Sequence, residues 1–406
     1  MENALKRENC IKDVKSCNNI MLWGLLLRLA VLVFMLTIAM DFAEPYFVKD
    51  DIKYEETIES YMNNARGFFD TERLEYISKR YIAPFWPWVA SIFGYIFKWK
   101  YIGRVINIIL SVFTIKLVHN ITFNISGNNK TSLLAAKLMA FTPVTVLTCC
   151  FPIKDIFIMF AVFYIFDFFI KLQKGDKIKK YEVVIAVLLL VGIYYSRGAV
   201  MELLVMFFFV FYIVKYIRKN SYVPVIFIIG LALAVFYVFG DAIIESFTTK
   251  IEDYGGASAN EGNIASLSIN GISDIFKLPF AIFFANLQPI KMNLFTESSI
   301  SFWHNIIAHL NISIYPVAIA NIMYVFGKKH NLMFWILSIA MYSAVISLSL
   351  GVFRHYLFLI PLQMINCALY FDEDNLVKKA NKNNIVVIGS IALFAYMLYY
   401  TFNAAV

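Results

Sequence analysis

Seven carboxylates, Asp41, Glu44, Asp50, Asp51, Glu55, Glu56 and Glu59, crowd into residues 41–59, directly after the first long apolar run. A carboxylate sheltered beside a membrane surface can take the proton from an acceptor hydroxyl, or hold a divalent cation such as Mg or Mn. The same residues also suit a plainer role, because acidic side chains at a helix start cap it and complement its dipole. The spacing predicts a helix over 51–65, with Tyr54, Ile58 and Tyr61 along one apolar face. Four cations stand at helix ends or in short connections: Arg104, Lys154, Arg197 and Arg354. Arginine forks match phosphate oxygens, and positive charge there would stabilise a departing phosphate. Long basic side chains also anchor helices at the headgroup level, which is the competing reading. Arg28, Asp167 and Glu202 lie within apolar runs and need partners. The expected pairs are Arg28 with Asp167, and Arg197 with Glu202 one turn away. His304 and His309 are five apart, off the i, i+4 spacing of a paired metal site, and read as packing or groove residues.

The elements that must position these residues follow from composition. The chain has 406 residues, 60% hydrophobic and only 16% charged, with 39 Phe and 24 Tyr and a mean hydropathy of +0.67. A soluble domain carries about 25% charged residues to wet its surface. This balance predicts an all-α polytopic membrane protein, a single integral-membrane domain over 1–406, with the lipid bilayer as its surroundings. It excludes a nucleic-acid binder, despite the net charge of +8, and a secreted disulfide scaffold. The five cysteines show no ligand spacing, and the adjacent Cys149 and Cys150 read as apolar filler.

Apolar runs at 20–40, 101–123, 131–150, 156–172, 181–196, 198–216, 223–240, 300–326, 332–352, 356–371 and 385–400 predict about eleven crossings. Parity then rests on the thirteen-residue run at 85–97, about 20 Å as a helix against a hydrocarbon core of about 30 Å. Its aromatic content is that of an interfacial belt. Lying flat on the outer face, it leaves the loops at 124–130, 171–180, 215–220, 327–331 and 372–384, with their lysines, inside beside a cytoplasmic N-terminus. A crossing there would turn the lysine clusters outward, against the positive-inside rule. By the same rule the stretch at 275–289, broken by Pro279, stays outside. The expected protein is thus multi-pass in the cell membrane, with a first outer loop at 41–100 containing interfacial helices and a second, flexible one at 247–299. In that topology Asn-x-Ser/Thr triplets at Asn120, Asn124 and Asn311 lie inside or at cytoplasmic helix ends and read as chance.

In its order of features the first half of the chain resembles the GT-C superfamily of integral-membrane glycosyltransferases. One helix is followed by an outer loop with an acidic motif, D-D-I-K-Y-E at 50–55, and a Pro-aromatic stretch, Y-I-A-P-F-W-P-W at 81–88, leading into a short interfacial helix. Next come Y-I-G-R-V-I-N with Arg104, F-T-P at 141–143, F-P-I-K-D at 151–155 and Y-S-R-G-A at 195–199. The resemblance spans mainly 20–215, within a module of 20–240, leaving 300–406 as C-terminal transmembrane helices. It implies a polyprenyl-phosphate-linked sugar donor and an outer-face first-loop Asp as catalytic base or metal-site residue. Asp51 matches best, then Asp50, with Asp41 a competitor nearest the first helix. Asp155 matches a second acidic position, which binds metal, positions the acceptor, or merely pairs with Lys154. Arg104, Lys154, Arg197, Arg354 and Tyr54 are the implied substrate-binding residues, and R-H-Y-L at 354–357 resembles the late-helix arginine of lipid-linked sugar enzymes.

The expected activity is transfer of a sugar, with inversion, to a cell-surface glycan or lipid acceptor. No large C-terminal soluble domain of the oligosaccharyltransferase type is present in the sequence, which argues against protein sequons as acceptors. Two alternatives remain. A polysaccharide polymerase or ligase would use a diphosphate-linked oligosaccharide and depend on Arg197 and Arg354 more than on Asp51. A transporter or flippase would carry its charges at the bilayer midplane rather than crowded at one boundary.

Overall fold

The structure, a computed structural model, describes residues 2–218, 302–327 and 357–404, apart from a few positions within those stretches. The expected crossings at 223–240 and 332–352, the loop at 247–299 and Arg354 lie outside the described residues. Among the described residues every regular element is helical. In chain order they are α1 (Glu2–Leu36), α2 (Lys49–Asn64), α3 (Thr71–Arg80), α4 (Phe85–Phe97), α5 (Ile102–Ser126), α6 (Asn129–Phe141) and α7 (Pro143–Thr148). There follow α8 (Lys154–Lys174), α9 (Lys180–Ser196), α10 (Gly198–Arg218), α11 (Phe302–Leu310), α12 (Tyr315–Val325), α13 (Ile360–Tyr370) and α14 (Leu376–Ala404).

Two stretches of described helix are long and apolar enough to cross a membrane, Lys15–Asp41 and Ile102–Ser126. Other apolar runs are cut shorter by local chemistry. The run at 131–150 is two helices, α6 and α7, because Pro143 has no N–H to continue the ladder. The run at 300–326 is α11 and α12, joined by a 3₁₀ turn at Asn311–Ile314. Helix α8 carries Lys154, Asp155, Asp167, Lys171 and Lys174 on an otherwise apolar sequence, yet most of it is buried. It packs against α5 on one side and α9 on the other, while α1, α4, α6 and α13 also pack on α5.

The break at Pro143 decides the fate of Arg28, which is fully buried in α1. Without a Pro143 N–H, the Met139 carbonyl loses its helical donor, and the Ala140 carbonyl sits in the same distorted turn. Arg28 Nη1 donates to Ala140 O at 2.8 Å and Nη2 to Met139 O at 3.2 Å. Its Nε donates to Ser111 Oγ at 3.1 Å, so one guanidinium joins α1, α5 and α6. The expected pair with Asp167 does not form. Asp167 bonds Lys171 at 2.9 Å instead, one turn along its own helix, and Lys171 also reaches Glu182 at 3.2 Å. Arg28 turns to carbonyls rather than a carboxylate because the α6–α7 break leaves those of Met139 and Ala140 without backbone donors in an apolar setting, Met139 O having only the Thr145 hydroxyl besides.

Side-chain bonds gather the connections at two opposite ends of the bundle. At one end, Lys174 Nζ donates to Asn124 Oδ1 at 3.0 Å. Asp372 Oδ1 there accepts from Asn128 Nδ2 and Thr131 Oγ1, each at 2.8 Å. The lysine-bearing loops at 124–130, 171–180 and 372–384 therefore meet at this end. At the other end, Trp303 Nε1 donates to Glu44 O at 2.9 Å, and Arg104 bonds both Glu55 and Cys150 O. The chain thus leaves α1 and enters α5 at one and the same end of the bundle.

Candidate functional site

Helix α2 sorts the acidic cluster by periodicity. Asp51, Tyr54, Glu55, Ile58 and Tyr61 recur at helical spacing and are all buried, with Asp51 at 0% and Glu55 at 3% exposure. Glu56 and Glu59 fall on the wet face and make surface pairs with Arg80, at 3.2 Å, and Lys100, at 3.9 Å. Asp41 is exposed in a 3₁₀ turn. Asp50 lies on α2, and its side chain is outside the described residues. Tyr54 is buried with its ring 5.6 Å from that of Tyr81, so it packs α2 onto the chain leading into α4. Close approach of α4 to α2 depends on Gly94, where a Cβ would run into Ile58.

Glu55 is the residue that sequence reasoning underrated. Its Oε1 accepts from Arg104 Nε at 2.6 Å, with both side chains buried. The Arg104 guanidinium also lies 5.6 Å from the Tyr46 ring centroid and 5.5 Å from that of Tyr101. Burial pushes the Glu55 carboxyl above the usual carboxylate range, although Arg104 pulls the other way. Burial and the Glu55 charge push the Tyr46 phenol up to about 12, so at neutral pH it remains an O–H donor. The i, i+4 spacing of Asp51 and Glu55 on the Tyr54–Ile58 face was the signal available in the sequence.

The raised Glu55 value carries a sign. When the folded pKa lies above the unfolded one, the folded state binds the extra proton between them, and stability falls as pH rises through that window. We expect the wild-type melting temperature to decline from about pH 4.3, the ordinary Glu value, upward through the raised folded value. Glu55→Gln should flatten that slope in a melting series across the acid range, and an unchanged slope would contradict the assignment.

The connection between α7 and α8 is buried and non-helical, so its carbonyls need partners. Side chains supply them at four consecutive residues. Cys150 O accepts from Arg104 Nη1 at 3.2 Å, and Phe151 O from Asn107 Nδ2 at 2.7 Å. Pro152 O accepts from Trp86 Nε1 at 2.8 Å, and Ile153 O again from Asn107 Nδ2 at 2.9 Å. Arg104 thus serves the backbone as well as Glu55. This clamp fixes the start of α8, whose first turn carries Lys154 and Asp155. Cys149 and Cys150, at the same connection, are buried thiols, in keeping with apolar filler.

Asp155 Oδ1 lies 2.8 Å from Arg197 Nη2, with side-chain exposures of 3% and 12%. This corrects two expectations at once: Asp155 pairs with Arg197, not Lys154, and Arg197 turns to Asp155 while Glu202 is exposed. Arg197 caps α9, and the α9–α10 turn brings it over the N-terminus of α8. One end of the bundle therefore collects Asp51, Glu55, Arg104, Lys154, Asp155 and Arg197. His309, by contrast, is exposed, and the side chain of His304 is outside the described residues. Among the described residues no three His, Cys, Asp or Glu side chains converge as a metal-ligand set.

Comparison with protein-family models, with curated proteins and with solved structures finds no match for this chain.

Proposed function

We propose that this chain is an integral-membrane glycosyltransferase that moves a sugar from a polyprenyl-phosphate donor to a glycan or lipid acceptor on the extracytoplasmic face. The observation that carries the reading is the concentration of buried ionisable groups at one bundle end, opposite the end where the lysine-bearing loops meet. Buried charges of this kind are costly for stability alone and are characteristic of reaction sites. The reading includes about eleven crossings and a cytoplasmic N-terminus, with α2, α3 and α4 as the elements of the outer loop.

In this reading Asp51 accepts the proton of the acceptor hydroxyl, whose oxygen attacks the anomeric carbon from the face opposite the phosphate. The anomeric C–O bond to phosphate breaks, and its electron pair leaves on the lipid phosphate. Lys154 and Arg197 lie at the same end to stabilise that developing charge. Glu55 holds Arg104 rigid, so the guanidinium needs no reorganisation during the reaction.

Topology gives the test. With Cys10 replaced by Ser, single cysteines at Lys154 and Lys179 probe the two ends, because the four described cysteines are buried. Lys154→Cys should react with an impermeant maleimide in intact cells, and Lys179→Cys only after permeabilisation. Labelling of Lys154→Cys from the cytoplasm alone would refute an outer-face site.

A further inference from the structure

We infer that the junction of α4, α8 and α9 is a subsite for a hydroxyl-rich ring, which is the sugar of the donor if the proposed function holds. Three helices converge there. Phe85 of α4 and Phe157 of α8 both press on Gly192 of α9, where an added Cβ would come within 3.0 Å of either ring. Their ring centroids are 5.1 Å apart. Ser196 stands one turn beyond Gly192 on the same side of α9. Trp88 stands one turn beyond Phe85 on α4 and meets Tyr195 at 6.3 Å between ring centroids. Asp155, just before Phe157 on α8, pairs with Arg197 beside Ser196.

What marks this junction as a ligand site is unused hydrogen-bonding capacity. The Ser196 side chain is fully buried, and its hydroxyl has no partner. The Trp88 indole N–H is likewise buried and bonds to nothing. Asp155 Oδ1, in contact with Arg197, makes no well-aligned hydrogen bond. Buried donors and acceptors are almost always satisfied in native proteins, so a group of them in one place awaits a partner. The set is chemically mixed: an indole donor, a hydroxyl that both gives and takes, and a carboxylate balanced by a guanidinium. A bare anion would meet the Asp155 carboxylate. A ring bearing several hydroxyls can donate to Asp155 and Ser196, accept from Trp88, and lay its C–H face on the Trp88 and Tyr195 rings.

The experiment uses the full chain in lipid nanodiscs. Affinities are measured for undecaprenyl phosphate and for a panel of undecaprenyl-phosphoryl hexoses and pentoses. Wild type should bind its preferred sugar-bearing lipid about tenfold or more tightly than the bare lipid phosphate, as sites built to hydrogen-bond hydroxyls do. Ser196→Ala and Trp88→Phe should each erase most of that preference, leaving lipid-phosphate affinity and melting temperature near wild type. An intact preference in both variants overturns the subsite and leaves the proposed transferase standing. Equal weakening toward the bare lipid phosphate would make the junction a phosphate site and overturn the inference. If wild type binds the lipid phosphate but prefers no sugar-bearing form, the subsite alone falls. If it binds none of these lipids, both the subsite and the proposed function fall.

Discussion

Asp51→Asn should lower transfer by about 10²–10⁴-fold, the range expected for loss of a general base, while membrane level and melting temperature stay close to wild type. The substitution is isosteric and removes charge from a fully buried side chain, so the packing of α2 against α4 has no reason to change. Asp41→Asn and Glu56→Gln serve as controls, since both carboxylates are exposed, and each should retain full activity. A fully active Asp51→Asn protein would end the base assignment. If Glu55→Gln alone abolished transfer, the proton would belong to Glu55, one turn along the same face.

The second large effect is structural. Arg28→Leu should destabilise the protein by about 2–5 kcal/mol, the scale of leaving buried polar groups without donors, and should reduce its level in the membrane. Leucine fills much of the space but leaves the Ala140 carbonyl without the donor Arg28 provides, while Met139 O keeps only the Thr145 hydroxyl at 2.9 Å. Arg28→Lys should be intermediate, because one ammonium cannot span Ser111 and both carbonyls as the planar fork does. Melting in detergent reads the difference directly. Wild-type stability in Arg28→Leu would mean that the α6–α7 break does not depend on this guanidinium.

Much of the fold is legible from local pattern. The apolar run at 85–97 is the helix Phe85–Phe97, and the acidic segment expected to be helical over 51–65 is Lys49–Asn64. Those elements are set by periodicity, and α3 between them is started by its cap Asp70, whose carboxylate accepts from Arg73 N at 3.1 Å. What the sequence hides are the long-range partners. Arg28 finds carbonyls 111 and 112 positions away, and Arg104 finds Glu55 across 49. Proximity in sequence favours Lys154 and Glu202 as partners for Asp155 and Arg197, yet the turn between α9 and α10 brings those two together. One clue was available: Pro143 announces an unsatisfied carbonyl four residues earlier, and Arg28 is the buried donor that answers it.

Under the proposed function this chain consumes a polyprenyl-monophosphate sugar. The most direct measurement is mass spectrometry of polyprenyl lipids extracted from cells lacking the protein, and from the same cells carrying wild type or Asp51→Asn. The predicted result is a polyprenyl-monophosphate monosaccharide that accumulates without the protein, clears with wild type and persists with Asp51→Asn. Accumulation of a diphosphate-linked oligosaccharide instead, cleared by Asp51→Asn as well as by wild type, would contradict the account and shift the chemistry to Arg197 and Arg354.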